Sequence, residues 1–98
     1  MITLKNKDQI AKMRVAGHML EEIVETVCAA VKPGVTTMHL SQMADKLIRK
    51  AGGGPSFLGY QGFPESLCTS VDTVVVHGIP NDEPLDEGQI VGIDCGLV

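Results

Sequence analysis

The stretch that decides the fold is Asp72–Val98, which reads DTVVVHGIP (72–80), NDEPLDEGQ (81–89) and IVGIDCGLV (90–98). Two apolar, β-branched runs flank a link rich in turn residues, the pattern of strands joined by a connection. Each run carries one residue with chemistry. His77 closes the first, just before Gly78-Ile79-Pro80. Asp94 sits inside the second, between Ile93 and Cys95. A carboxylate in an apolar run is costly to bury unless a partner such as a metal ion holds it, so Asp94 reads as a metal ligand or as a surface or capping acid. His77 reads as a general acid–base or contact group, or as an ordinary residue at a strand end.

Upstream of this stretch the periodicity is helical. Asn6, followed three residues later by Gln9, fits a capping box. Ile10, Met13, Gly17, Leu20, Val24, Val27 and Val31 then recur in steps of three and four, predicting a first helix that Pro33-Gly34 ends. Thr36 or Thr37 caps a second helix. Its apolar face is Leu40, Met43, Ala44, Leu47, Ile48 and Ala51. Arg49 and Lys50 suit its last turn, and Gly52 suits its C-terminal cap. Gly52-Gly53-Gly54-Pro55 is a loop without the Gly-Lys-Ser/Thr of a phosphate loop. Short strands are predicted at Ser56–Leu58, Leu67–Val71, Thr73–His77 and Ile90–Cys95. Helices followed by strands imply an α+β domain with two N-terminal helices packed on a mainly antiparallel sheet.

Composition narrows the function classes. The 98 residues fit a single domain, residues 1–98, with 44% hydrophobic and 20% charged content. A net charge of -4 and the lack of a Lys/Arg cluster argue against nucleic-acid binding. Cys28, Cys68 and Cys95 are odd in number and never spaced C-x-x-C, so they suggest neither a disulfide framework nor a zinc site. No signal peptide and no membrane span are apparent, and a cytoplasmic chain is expected. Phe57, Tyr60, Phe63 and Cys68 read as core or as the wall of an apolar pocket, with Tyr60 and Phe63 on a Gly- and Pro-containing turn. His18 and His39 read as surface or satisfied histidines, and Cys95 as a small core residue facing away from Asp94.

With these residues in place, the chain resembles the N-terminal half of the type I methionine aminopeptidases, two-metal exopeptidases with the pita-bread fold. The likeness runs through KMRVAGHML (12–20), VKPGVTT (31–37), LGYQGFPESLCTSVDTVVVHGIP (58–80) and GQIVGIDCG (88–96). The ordered combination GY-x-G-F-P, S-x-C-x-S and HGIP is specific. The resemblance implies half of a pita-bread fold. It also implies metal-dependent hydrolytic removal of the initiator methionine from nascent polypeptides. Asp94 then matches a metal-ligand aspartate, and His77 a catalytic histidine that contacts the substrate without binding metal. Tyr60, Phe63 and Cys68 match the methionine pocket, with Phe57 at a further pocket position. The implied cofactors are two divalent metal ions: Co, Mn, Fe or Zn. The implied partners are nascent N-termini beginning with Met, with the ribosome a further candidate and neither nucleic acid nor membrane expected.

The chain departs from the family's pattern at Phe57, where several bacterial members have Cys, at Gln61, where many have His, and at Phe63, where many have Tyr. The family's other metal ligands, an aspartate, a histidine and two glutamates, have no counterpart in these 98 residues. The 98-residue chain alone is therefore expected to be inactive, with an unpaired edge on the strand from Ile90 and exposed apolar surface. The alternatives are a non-catalytic binding module of the same fold and a proline-specific peptidase relative.

Overall fold

The computed structural model describes residues 2–74 and 76–98. Two helices come first: α1 (Lys7–Ala29) and α2 (Thr37–Lys50). A single 3-10 turn (Tyr60–Gly62) and two strands, β1 (Leu67–Val71) and β2 (Val91–Cys95), follow. β1 and β2 pair antiparallel, Leu67 opposite Cys95 and Val71 opposite Val91. The α+β order with an antiparallel sheet is the one expected.

The helix ends follow from their capping residues. The Asn6 side chain accepts from the Gln9 amide at 2.8 Å and the Gln9 side chain from the Asn6 amide at 2.9 Å, a complete capping box. Of the two threonines before α2, Thr36 is the cap, taking the His39 amide at 3.1 Å. Thr37 has a different task. Its hydroxyl accepts from the Asn81 amide at 2.8 Å, and the Met38 amide donates to the Asn81 carbonyl at 2.8 Å. The N-terminus of α2 thus anchors the link between the two apolar runs. At the other end the Gly53 amide bonds the Ile48 carbonyl and the Gly52 amide that of Arg49, a Schellman ending with Gly52 at φ 89°.

The core is built from Ile23, Val27, Leu40, Ala44, Ile48, Leu67 and Leu85. The buried stripe of α1 is only partly the one anticipated: Val27 is fully buried and Leu20 and Val31 half-buried, but the rest differs. Ile23 lies in it while Val24 is half-buried, and Ile10 and Met13 are exposed. Val31 falls beyond the helix, which ends at Ala29, ahead of Pro33. The first half of α1 projects beyond that core and meets the rest of the chain across a cavity lined by Ala11, Val15, Ala16 and Met19 with Gly53, Leu97 and Val98. Consistent with that projection, the radius of gyration is 14.6 Å, against about 13 Å for a compact chain of this length.

Two predicted strands are not formed. At Ser56–Leu58 there is only one bridge, Pro55 to Leu97, before the chain bends at Ser56 and Phe57. The Ser56 amide still reaches the Gly96 carbonyl at 3.3 Å, and the left-handed Gly59 then turns the backbone away. In Thr73–His77, Val75 lies outside the described residues and the other four are not in a strand. Asp72 explains this. Its backbone is left-handed (φ 49°), and its carboxylate accepts from the Ile90 amide at 2.9 Å and from the Gln89 side chain at 3.1 Å. That lock ends β1, and the Val74 amide then closes a turn onto the Val71 carbonyl at 3.1 Å. A β-branched run makes an extended backbone favourable, but a strand also needs a neighbour to bond.

Outside the core, Asp45 ties α2 to the start of β1. It accepts from Arg49 at 2.9 Å and from the Ser66 hydroxyl at 2.7 Å. Arg49 first, then Ser66, holds its carboxyl below the usual aspartate range. A depressed folded-state pKa means that this contribution is present above the unfolded pKa of about 3.9. It is lost as pH falls through the lower folded value. Asp45→Asn is expected to flatten that acid limb in urea titrations from pH 5 to 2. The cost at neutral pH should stay within about 1 kcal/mol, the range of a solvent-screened pair. An unchanged acid limb would remove Asp45 from this role.

Candidate functional site

The site lies on the face of the sheet turned away from the helices. Side chains alternate along a strand, so Leu67 faces the core and Cys68 faces the other way. Val71, Val91, Ile93 and Cys95 pack against the core. Cys68 stands opposite Asp94 and Ser70 opposite Gly92, and these four share the outer face. Cys95 faces away from Asp94, as anticipated.

Above Cys68 the chain from Phe57 to Pro64 folds into a tight turn. Gly59 (φ 80°), Gln61 (φ 49°) and Gly62 (φ 79°) are all left-handed. The Gly59 amide bonds the Phe63 carbonyl at 2.8 Å and the Phe63 amide that of Tyr60 at 2.9 Å. The turn brings Phe57 against Phe63 edge to face, ring centres 6.4 Å apart at 77°, a favoured aromatic arrangement. Tyr60 stands exposed at the rim, and Gln61 Nε2 donates to its hydroxyl at 3.4 Å.

A cavity of about 410 Å³ opens beneath this turn, lined by Phe57, Tyr60, Phe63 and Cys68 from the expected set, with His77 and Ile79 closing one side. Five residues spread over Phe57–His77 therefore meet in one place. Asp94 is not in this cavity. It lines a neighbouring one of about 120 Å³ with Ser70, Val76, Gly92 and Ile93, and His77 borders both. Gln61 and Ile79 line the site without having been placed there from the sequence. Gln61 was visible only as a departure from the family's pattern, and Ile79 only as part of HGIP. Ser70 was visible only as the end of S-x-C-x-S.

His77 is held in the left-handed region at φ 58°, which costs a non-glycine residue about 1 kcal/mol or more. The following Gly78 lies hard against β1. Its carbonyl accepts from the Thr69 amide at 2.9 Å and its amide donates to Ser70 Oγ at 3.2 Å.

The electrostatics of the thiols give the cavity its character. Burial, reinforced by the charge of Asp94, raises Cys68 above its ordinary value, and the same two causes push Cys95 up to about 11. Cys68 is thus a protonated, apolar wall at neutral pH and not a nucleophile. Cys28 is exposed, Cys68 buried and Cys95 half-buried. Disulfide-exchange labelling at pH 7.4 should therefore show one fast thiol, Cys28, and two slower by at least about tenfold, since thiolate fraction and access both set the rate. Fast labelling of Cys68 would contradict this picture of a closed wall.

Asp94 is the carboxylate of this region, and it is exposed. Among the described residues no group of three or more His, Cys, Asp or Glu gathers to hold a metal ion. One carboxylate does not hold a divalent pair, so Asp94 alone does not make a metal centre.

Comparison with known proteins places this arrangement. The sequence is 47% identical over 97 residues to a methionine aminopeptidase of Clostridium perfringens, covering 99% of this chain and 39% of that protein. To the mitochondrial methionine aminopeptidase 1D of Dictyostelium discoideum it is 44% identical, covering 98% and 24%. The fold superposes on the crystal structure of methionine aminopeptidase from Rickettsia prowazekii with a TM-score of 0.95 at 42% identity, covering 99% of this chain and 39% of that one. The Thermotoga maritima enzyme gives 0.95 at 33%, covering 100% and 40%. The chain spans about two-fifths of the length of the first of these relatives, and its fold is the corresponding part of the pita-bread fold. The model of metallopeptidase family M24 matches residues 11–98, the span holding every element of the site, and the chain belongs to that family.

Proposed function

We propose that this chain is the part of a methionine aminopeptidase that forms the methionine pocket, presents His77 to the substrate and supplies Asp94 as one metal ligand. The observation that carries this reading is the convergence of Phe57, Tyr60, Phe63, Cys68 and His77 on one cavity, with Asp94 in the adjoining one. At about 410 Å³ the cavity has room for an unbranched thioether, and no lining residue brings a carboxylate to a cationic side chain. Phe57 and Phe63 make it more aromatic than a Cys and Tyr pair would, which suits the polarisable sulfur. His77, between the two cavities, is placed to meet the backbone of a peptide whose first side chain fills the larger one. Divalent metal ions, when bound, polarise a scissile carbonyl. The remaining donors for them would come from outside these 98 residues.

In this reading the substrates are nascent polypeptides beginning with Met, processed in the cytoplasm as a step of protein maturation, and residues 1–98 act as one unit. No helix among the described residues is long and apolar enough to cross a membrane. The test is a titration of the labelled chain with L-methioninamide and, separately, L-lysinamide, followed by amide and ring resonances. Methioninamide is expected to shift Tyr60, Phe63, Cys68, His77 and Ile79, and lysinamide to leave them in place. Equal responses to both, or shifts centred elsewhere, would remove the proposal. Because one carboxylate does not hold the metal pair, the 98-residue chain should release no methionine from a Met-Ala peptide with divalent metal added.

A further inference from the structure

We infer that Ser70 is the positioning residue for His77, an inference that rests on His77 being the group that meets the substrate. The argument starts from the left-handed backbone of His77 at φ 58°. Such a conformation persists in a non-glycine residue only where its surroundings over-determine it. Two bonds to β1 are available for that, and they are not equivalent. The Thr69 amide bonds the Gly78 carbonyl at 2.9 Å. That carbonyl belongs to the peptide unit after Gly78, so this bond fixes how far the loop lies from the strand. Ser70 Oγ takes the Gly78 amide at 3.2 Å. That amide belongs to the peptide unit joining His77 to Gly78, whose orientation sets ψ of His77. The side-chain bond therefore fixes the peptide plane that follows His77, and with it the backbone from which the imidazole projects.

The placement of Ser70 supports this. It is buried at the edge of the cavity shared by His77 and Asp94, on the outer face of β1 together with Cys68. Gly92, opposite it, leaves room: a Cβ there would come within 3.6 Å of that of Ser70. Ser70 touches neither the larger cavity nor, in this reading, the substrate. It acts through His77.

The experiment compares the wild-type chain with Ser70→Ala and Ser70→Thr by NMR. In the wild type the Gly78 amide is expected to be protected, and His77 to show the strong intraresidue amide–Hα contact of a left-handed residue. Ser70→Ala is expected to speed Gly78 exchange about tenfold, the value of one ordinary hydrogen bond. It should also move the His77 ring signals while leaving Leu40 and Ile48 in place. Methioninamide should then still shift Tyr60 and Phe63 but no longer His77, a split that a general loss of structure would not produce. Ser70→Thr, which keeps the hydroxyl, should restore both His77 signatures. Should Ser70→Ala fail to fold, Ser70→Cys, with a weak acceptor of similar size, is read in its place. Unchanged Gly78 exchange and His77 signals in the hydroxyl-free variant overturn the inference. If His77 of the wild type ignores methioninamide while Gly78 still responds to Ser70→Ala, the proposed function falls and the Ser70 clamp stands.

Discussion

Gly78→Ala is expected to detach the His77 turn from β1, lowering stability by about 2–3 kcal/mol, the range for an added group that the packing cannot accept. A Cβ at this position would collide with the Thr69 carbonyl oxygen, lying 2.7 Å from its carbon and 3.0 Å from Ser70 Cα. All three are backbone atoms of a paired strand, so no change of rotamer relieves the clash. The loop must move outward. Doing so breaks the Thr69–Gly78 bond and the Gly78–Ser70 bond together, and His77 leaves the border of the two cavities. Equilibrium urea unfolding measures the loss. The methioninamide response at His77 should vanish while that at Tyr60 weakens less. Gly17 is the control. A Cβ there meets nothing within 4 Å, and it sits mid-helix, so Gly17→Ala should stabilise by about 0.5–1 kcal/mol. A Gly78→Ala chain as stable as the wild type, with His77 still responding, would mean that the loop does not pack on β1 in solution.

This glycine also marks where the sequence is readable and where it is not. Helix caps are local, so Asn6–Gln9 and Gly52 could be read directly, and the opposite faces of Asp94 and Cys95 on β2 followed from period two. The Asn6 box and the Schellman ending involve partners within five residues. The failures are non-local. Val74 and Val76 have strand propensity but are not in a strand among the described residues, since β1 ends where Asp72 turns and bonds Ile90, eighteen residues away. The N-terminal part of the α1 stripe was misplaced for a similar reason. Its 3.6-residue period allows more than one apolar face, and only α2 and the sheet decide that Ile23 turns inward. The candidate site residues could be named from motif resemblance. That His77 would border two cavities, with Ser70 holding its turn, depends on a contact across the loop that no spacing encodes.

Leu67→Ala tests the link between core and site, with an expected loss of about 2–5 kcal/mol, the range for emptying a fully buried leucine. Leu67 is fully buried among Ile23, Val27, Leu40, Ala44, Ile48 and Leu85. A chain of this length has a total stability on the order of 5–15 kcal/mol, so the substitution removes a large share of it. The effect should not stay in the core. Leu67 and Cys68 are consecutive on β1, one facing the helices and the other the cavity under the Phe57–Pro64 turn, so a cavity under Leu67 loosens the strand that forms the pocket floor. Cys68 labelling should therefore accelerate in Leu67→Ala, by more than an equal destabilisation placed elsewhere would produce. Ile48→Ala on α2 provides that comparison, since it empties another fully buried aliphatic position of the same core, in the same range of expected loss, with the change placed off β1. Equal acceleration in the two variants would mean that Cys68 is reached only by global unfolding. Faster labelling in Leu67→Ala would make β1 the mechanical connection, with the core setting how rigidly the pocket floor is held.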